Sequence, residues 1–238
     1  MPSFANRTSA GQALAAAIAE KFPEWLNQSD TLILGLPRGG MPVASAVAKS
    51  LGAPLDAYIV RKIGVPGQEE LAMGAIAMDG SYFLDRTLIK WLHIEPSEID
   101  ASLARERKEL ERRALLYRGS AEAPPVEGKK VLLVDDGLAT GATMRAAVHA
   151  LKKQHPSALM IAVPVAPPST IKELSPEVDH ILCLEEHEPF IGVGLWYRDF
   201  TQTSDHEVEE LLAASKVPNR FQKDLQARSH PTPLQAKV

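Results

Sequence analysis

Cysteine is almost missing from this chain: Cys183 is the only one in 238 residues, so no intrachain disulfide can form. That usage fits a reducing compartment, and a cytoplasmic location is expected. Cys183 lies in an apolar run and reads as a buried, inert thiol. A strong charge of one sign is missing too. The 26 Lys and Arg stand against 30 Asp and Glu, a net charge of −4. The electrostatic footprint of a bulk nucleic-acid binder is therefore absent, and no nucleic-acid partner is expected. The opening stretch MPSFANRTSAGQALAAAIAEKF sets Arg7, Glu20 and Lys21 around a short Ala-rich run. The run is too short to span a membrane and poor as a signal peptide, and it predicts an amphipathic cap helix. No internal repeat is found, and no membrane partner is expected.

What is present is a series of short apolar runs: TLILGL (31–36), LDAYIVRK (55–62), KKVLLVDD (129–136), ALMIAVPV (158–165) and HILCLEE (180–186). Their lengths and bounding turn residues suit buried parallel strands. Helical patterns follow at MPVASAVAKSL (41–51), ATMRAAVHALKKQ (142–154) and SDHEVEELLAAS (204–215). Strand–helix alternation means right-handed βαβ units and an α/β fold. Between the second and third runs, residues 64–84 read as a mobile loop ending in a hairpin through Met78-Asp79-Gly80-Ser81. Residues 97–118 read as one long charged helix with a narrow stripe of Ile99, Leu103, Leu110, Ala114 and Leu115. Such a stripe suits an outer arm, solvated or serving dimer contact or site cover. The expected organisation is one domain over 1–218, with a poorly packed, disordered tail at 219–238.

The third run ends in Asp135 and Asp136, at the carboxyl end of a strand, where open α/β sheets bind ligands. Carboxylates suit vicinal sugar hydroxyls or Mg²⁺. Ala139-Thr140-Gly141-Ala142-Thr143 follow and open a helix, whose free N–H groups and small residues suit an anion. The Gly-Lys-Ser/Thr ending of a nucleotide-triphosphate loop is absent. A diol clamp beside a phosphate cradle describes a ribose 5-phosphate site. A receiver domain also opens with Leu-Leu-Val-Asp-Asp, but at its first strand, and a plain capped turn is the bland alternative.

The segment VLLVDDGLATGAT resembles the phosphoribosyl-pyrophosphate (PRPP) motif of type I phosphoribosyltransferases, and the resemblance extends over roughly residues 10–215. The whole pattern is closest to predicted phosphoribosyltransferases whose acceptor is not established. The resemblance implies a parallel-sheet, Rossmann-like core with a flexible hood. It puts Asp135 and Asp136 on the ribose hydroxyls and Ala139 through Thr143 around the 5-phosphate. The loop Pro37-Arg38-Gly39-Gly40 would grip pyrophosphate, with a non-prolyl cis bond expected at Pro37–Arg38. Arg61 or Lys62 would also touch pyrophosphate, against a solvated strand end. Glu70, with Glu69 beside it, would be a catalytic base on a closing loop. Phe190, Ile191 and Trp196 would hold the acceptor, although an aromatic cluster there equally suits core or dimer surface. His187 reads as a surface residue. Mg²⁺ is implied, carried mainly by PRPP with Asp135 and Asp136 as further ligands, and a homodimer is expected. The implied reaction transfers phosphoribose to a small-molecule acceptor, a nitrogen heterocycle. A PRPP-sensing regulator and a sugar-phosphate hydrolase on the same fold stay open.

Overall fold

The computed structural model describes residues 2–26 and 29–215; the predicted tail at 219–238 lies outside them. Five parallel strands form the central sheet: β1 (Thr31–Gly35), β2 (Leu55–Ala57), β6 (Lys130–Val134), β7 (Ala158–Ala166) and β8 (His180–Glu186). Their order is β2-β1-β6-β7-β8. Every residue of β1 is buried, and so are Val131–Val134 of β6 and Leu159–Ala166 of β7. Near-continuous burial explains why these strands read as apolar runs without alternation. Each buried Leu or Ile side chain contributes about 2 kcal/mol.

The helices are α1 (Arg7–Lys21), α2 (Gly40–Leu51), α3 (Arg86–Trp91), α4 (Pro96–Arg118), α5 (Ala142–Lys152), α6 (Pro168–Leu174) and α7 (Asp205–Ser215). From β1 the chain crosses through α2 to β2 in one direction. From β6 it crosses through α5 to β7 in the other. Right-handed crossovers running opposite ways put α2 and α5 on opposite faces. The reversal lies between β1 and β6, so their carboxyl ends frame the crevice at a topological switch point. Helix α1 packs along α2, its buried face made by Ala10, Gly11, Leu14, Ala15 and Ile18. No helix among the described residues is long and apolar enough to cross a membrane.

Two sequence expectations need correcting. The second apolar run is not one strand: β2 ends at Ala57, and the chain then leaves the sheet to begin β3 (Val60–Val65). The segment read as a mobile loop is mostly strand. β3, β4 (Gln68–Ala77) and β5 (Tyr82–Leu84) form an antiparallel sheet that packs on α5 and α4. The turn Met78-Asp79-Gly80-Ser81 does join β4 to β5, with Asp79 accepting from the Ser81 N–H at 3.0 Å.

Helix α4 is buried along Ser102, Glu106, Leu110, Ala114 and Tyr117, whereas Leu115 is 55% exposed. The stripe thus runs through two polar residues that an apolar count skips. At its last turn, Arg118 Nε and Nη2 donate to Asp56 Oδ1 and Oδ2 at 2.7 and 2.9 Å, a bidentate pair pinning α4 to β2. Arg118 is only 11% exposed, so Arg118→Met leaves a largely covered carboxylate without its partner. The expected cost is about 2 kcal/mol, read as a lower urea midpoint at unchanged slope.

Candidate active site

The two loops of the switch point meet. After β1, the Leu36 N–H donates to the Val134 carbonyl at 3.0 Å, and the Gly40 N–H donates to the Leu36 carbonyl at 3.0 Å. The Pro37–Arg38 peptide is cis. A Cβ on Gly39 would lie 2.1 Å from Asp136 Oδ2, and one on Gly40 would lie 2.8 Å from the Val134 carbonyl oxygen. Only glycine lets the β1 loop lie this close to the acid pair on β6. Arg38 Nη1 lies 3.6 Å from Asp205 Oδ1 at the start of α7. Asp205 also accepts from the Tyr117 hydroxyl at 2.5 Å. Burial, then the Asp205 contact, pushes that phenol up to about 12. The cation of the β1 loop is therefore steered by α7 and α4 together.

Asp135 and Asp136 follow β6 directly. Asp135 Oδ1 accepts from the Asp136 N–H at 2.9 Å at the strand end. Burial raises the Asp135 carboxyl well above its ordinary range, and the neighbouring Asp136 charge raises it further. Burial also raises Asp136, but Arg7 opposes it: Arg7 Nε donates to Asp136 Oδ2 at 2.7 Å. Arg7 thus holds the Asp136 carboxyl lower than burial alone would. The Tyr197 hydroxyl donates to the Asp136 carbonyl at 2.6 Å, and burial raises its pKa.

The loop into α5 is held from outside and left open within. The Leu138 N–H donates to the Val165 carbonyl at 2.9 Å, and Thr170 Oγ1 donates to the Ala139 carbonyl at 2.7 Å. Gly141 adopts φ 69°, the left-handed region that L side chains avoid, and it precedes the helix with no side-chain cap. The first N–H groups of α5 thus lack the capping oxygen a Ser or Asp would supply. Ala139, Thr140 and Ala142 are exposed and Thr143 is half-buried. The arrangement can take an anion.

Beyond β8 lies an aromatic cluster. The His187 and Trp196 rings stack at 3.4 Å and 6°, and Phe190 stands 6.3 Å from Trp196. His187 Nε2 is 2.9 Å from Glu185 Oε2, so this histidine is built into the cluster rather than solvated alone. The indole Nε1 of Trp196 is buried without a partner. Ile191 is 83% exposed and stands outside the stack.

The structure brings Pro37, Arg38, Gly39, Gly40, Asp135, Asp136 and residues 139–143 to one crevice, with Trp196 adjacent through its neighbour Tyr197. It does not bring Arg61 there. Arg61 lies on the hood sheet and donates through Nε and Nη2 to Glu106 Oε2 at 3.0 and 2.8 Å, contrary to a free pyrophosphate contact. Lys62 beside it is exposed, as is Glu69 on β4. Glu70 belongs to β4, and its side chain lies outside the described residues. Among the described residues no three His, Cys, Asp or Glu side chains cluster as a metal cage. Sequence reasoning missed Arg7 and Asp205. Arg7 sits 129 positions from its partner, and its only local signal is the Asn6–Ser9 capping box that starts α1.

A phosphoribosyl transferase domain pattern matches residues 4–196. With the parallel sheet and its two switch-point loops, this shows that the chain belongs to the type I phosphoribosyltransferase family. A Mycobacterium tuberculosis protein whose name assigns it provisionally to the phosphoribosyl transferases is 41% identical over 212 residues. The match covers 89% of this chain and 47% of that relative, so the chain spans about half its length. A crystal structure from Thermus thermophilus superposes with a TM-score of 0.76 at 37% identity, covering 90% of this chain and 99% of that one. A uracil phosphoribosyltransferase of Lactobacillus gasseri is 35% identical over 85 residues, 34% of this chain and 40% of its own length.

Proposed function

We propose that this domain transfers a 5-phosphoribosyl group from PRPP to a nitrogen-heterocyclic acceptor, with Mg²⁺ and with release of pyrophosphate. The observation that carries the reading is the crevice itself. The Arg38-Gly39-Gly40 loop, the Asp135–Asp136 pair and the open N-terminus of α5 lie together, so close that a Cβ on Gly39 would strike Asp136. In this reading Asp135 and Asp136 accept hydrogen bonds from the vicinal ribose hydroxyls. Residues 139–143 bind the 5-phosphate through backbone N–H groups and the two threonines. The backbone of the Pro37–Gly40 loop and the Arg38 guanidinium receive pyrophosphate, with exposed Lys62 as the freer of the two hood cations. Phe190 and Trp196 offer faces for a planar acceptor.

Chemistry of this type needs little covalent help. Pyrophosphate departs from C1, the sugar carbon gains oxocarbenium character, and a ring nitrogen attacks it. Arg38 stabilises charge on the leaving group, and the crevice aligns the partners. The donor set fits Mg²⁺, which is held by one or two carboxylates plus substrate phosphates rather than by an all-protein cage. When bound, that ion neutralises charge on the departing pyrophosphate. A reducing cytoplasm suits Cys183, whose thiol burial raises to about 12, and exposed Leu115 and Leu116 on α4 supply apolar surface for the homodimer.

The deciding measurement is pyrophosphate release from PRPP by the full chain over a panel of purine and pyrimidine bases, with and without Mg²⁺. Release that needs both Mg²⁺ and one class of base is expected. Tight PRPP binding with no release for any base would make the protein a sensor instead.

A further inference from the structure

The N-terminal segment is woven into the site. Ser3 and Phe4 donate through their N–H groups to the Trp196 carbonyl at 3.0 and 2.9 Å. In return, the Arg198 and Asp199 N–H groups donate to the Phe4 and Ala5 carbonyls at 2.9 and 3.0 Å. Residues 3–5 therefore lie beside the segment that follows the aromatic cluster, joined by one parallel bridge of Phe4 to Tyr197. The chain then turns into α1, where the Asn6 side chain accepts from the Ser9 N–H at 2.9 Å and fixes the first turn. Arg7 is the first residue of that turn, and its side chain is 11% exposed.

One guanidinium makes three contacts in this place. Arg7 Nε donates to Asp136 Oδ2 at 2.7 Å, and Nη1 donates to the Thr201 carbonyl at 2.7 Å. Its central carbon stands 3.9 Å from the centroid of the Phe200 ring. The first contact belongs to the acid pair, and the other two belong to the segment continuous with Trp196. A planar fork serves both sides at once in fixed directions, which a compact ammonium on a flexible stem does not reproduce. Arg7 uses Oδ2 and leaves Oδ1 of the carboxylate for a ligand hydroxyl. The backbone hydrogen bonds of residues 3–5 hold the N-terminus to the same segment independently of the Arg7 side chain.

We propose that Arg7 is a positioning residue that ties Asp136 to segment 196–201, so that filling of the ribose subsite orders the acceptor side of the crevice. This rests on the PRPP reading above. A hydroxyl taken up by Asp136 fixes that carboxylate, and the carboxylate fixes the guanidinium. The guanidinium then holds Thr201 and Phe200 in place. Acceptor binding is thereby favoured once PRPP is present, a coupling that is reciprocal by linkage.

Amide hydrogen exchange of the full chain, with and without saturating PRPP–Mg²⁺, tests the coupling. In the unaltered protein PRPP should slow exchange both at 139–143 and at 196–201. In Arg7→Met, PRPP should still protect 139–143, with affinity reduced about tenfold by the lost charge-assisted bond. Protection at 196–201 should no longer respond to PRPP. Arg7→Lys should return PRPP affinity to within about threefold of the original, since one charge-assisted bond is kept, without restoring the response at 196–201. If Arg7→Met does not fold, Arg7→Lys alone decides. A PRPP response at 196–201 that survives either substitution overturns the coupling and leaves the functional reading intact. No protection at 139–143 in the unaltered protein overturns the functional reading, and the coupling with it.

Discussion

Asp135→Asn and Asp136→Asn, made singly, are each expected to reduce kcat/KM for PRPP about 10²-fold, because a hydrogen bond to a charged acceptor is worth about 1.5–3 kcal/mol. Their effects on stability should differ in size. Burial and the adjacent Asp136 raise the Asp135 carboxyl well above its ordinary range. A carboxyl raised on folding favours the native state only below the ordinary carboxylate range, and that support is lost as pH rises through the folded pKa. Near neutral pH, Asp135→Asn therefore removes an unfavourable charge and should raise the urea midpoint, with the gain shrinking on acidification. Burial raises the Asp136 carboxyl too and Arg7 only partly offsets it, so Asp136→Asn relieves a smaller unfavourable charge while it takes the partner from Arg7, a cation only 11% exposed. Its gain in urea midpoint should be smaller than that of Asp135→Asn. Two isosteric changes on adjacent residues would then have equal consequences for PRPP and unequal ones for the fold. Unchanged turnover in both variants would remove the acid pair from the site.

The parts of this molecule legible in its sequence are those decided locally. ALMIAVPV falls wholly within β7, because a strand buried in a parallel sheet must be apolar along its length. The acid pair, the cradle and Arg38-Gly39-Gly40 are likewise contiguous strings. What could not be read was decided by partners far along the chain. Glu69, Glu70, Gly67 and Gly74 give residues 64–80 the composition of a loop, yet pairing with β3 and β5 makes most of it strand, a tertiary override of propensity. The run 55–62 stays apolar where the chain leaves one sheet for another, so periodicity alone could not divide it. Glu106 interrupts the apolar stripe of α4 but is buried there because Arg61 reaches it across the hood. The same pairing withdraws Arg61 from the crevice. Arg7 is the extreme case, since its meaning lies wholly in a carboxylate and a carbonyl brought from the far end of the fold.

Gly39→Ala should damage turnover far more than it damages the fold. Gly39 has φ −60° and ψ −33°, values alanine adopts freely, so backbone strain plays no part and only space is tested. The added Cβ would stand 2.1 Å from Asp136 Oδ2 and 2.8 Å from its Cγ. Two adjustments can relieve that overlap. Asp136 can swing away, at the expense of its 2.7 Å bond to Arg7. Or the β1 loop can lift, at the expense of the 3.0 Å bonds from Leu36 to Val134 and from Gly40 to Leu36. Either one displaces half of the crevice by about an ångström, enough to cost about 10²-fold in turnover when two reacting groups must be aligned. The fold should bear the change better, losing about 1–3 kcal/mol, as overpacking usually costs. A melting curve and PRPP kinetics on the same sample separate the two effects. Full turnover in Gly39→Ala would mean that the β1 loop and the acid pair do not act on one ligand, and the PRPP reading would lose its central support.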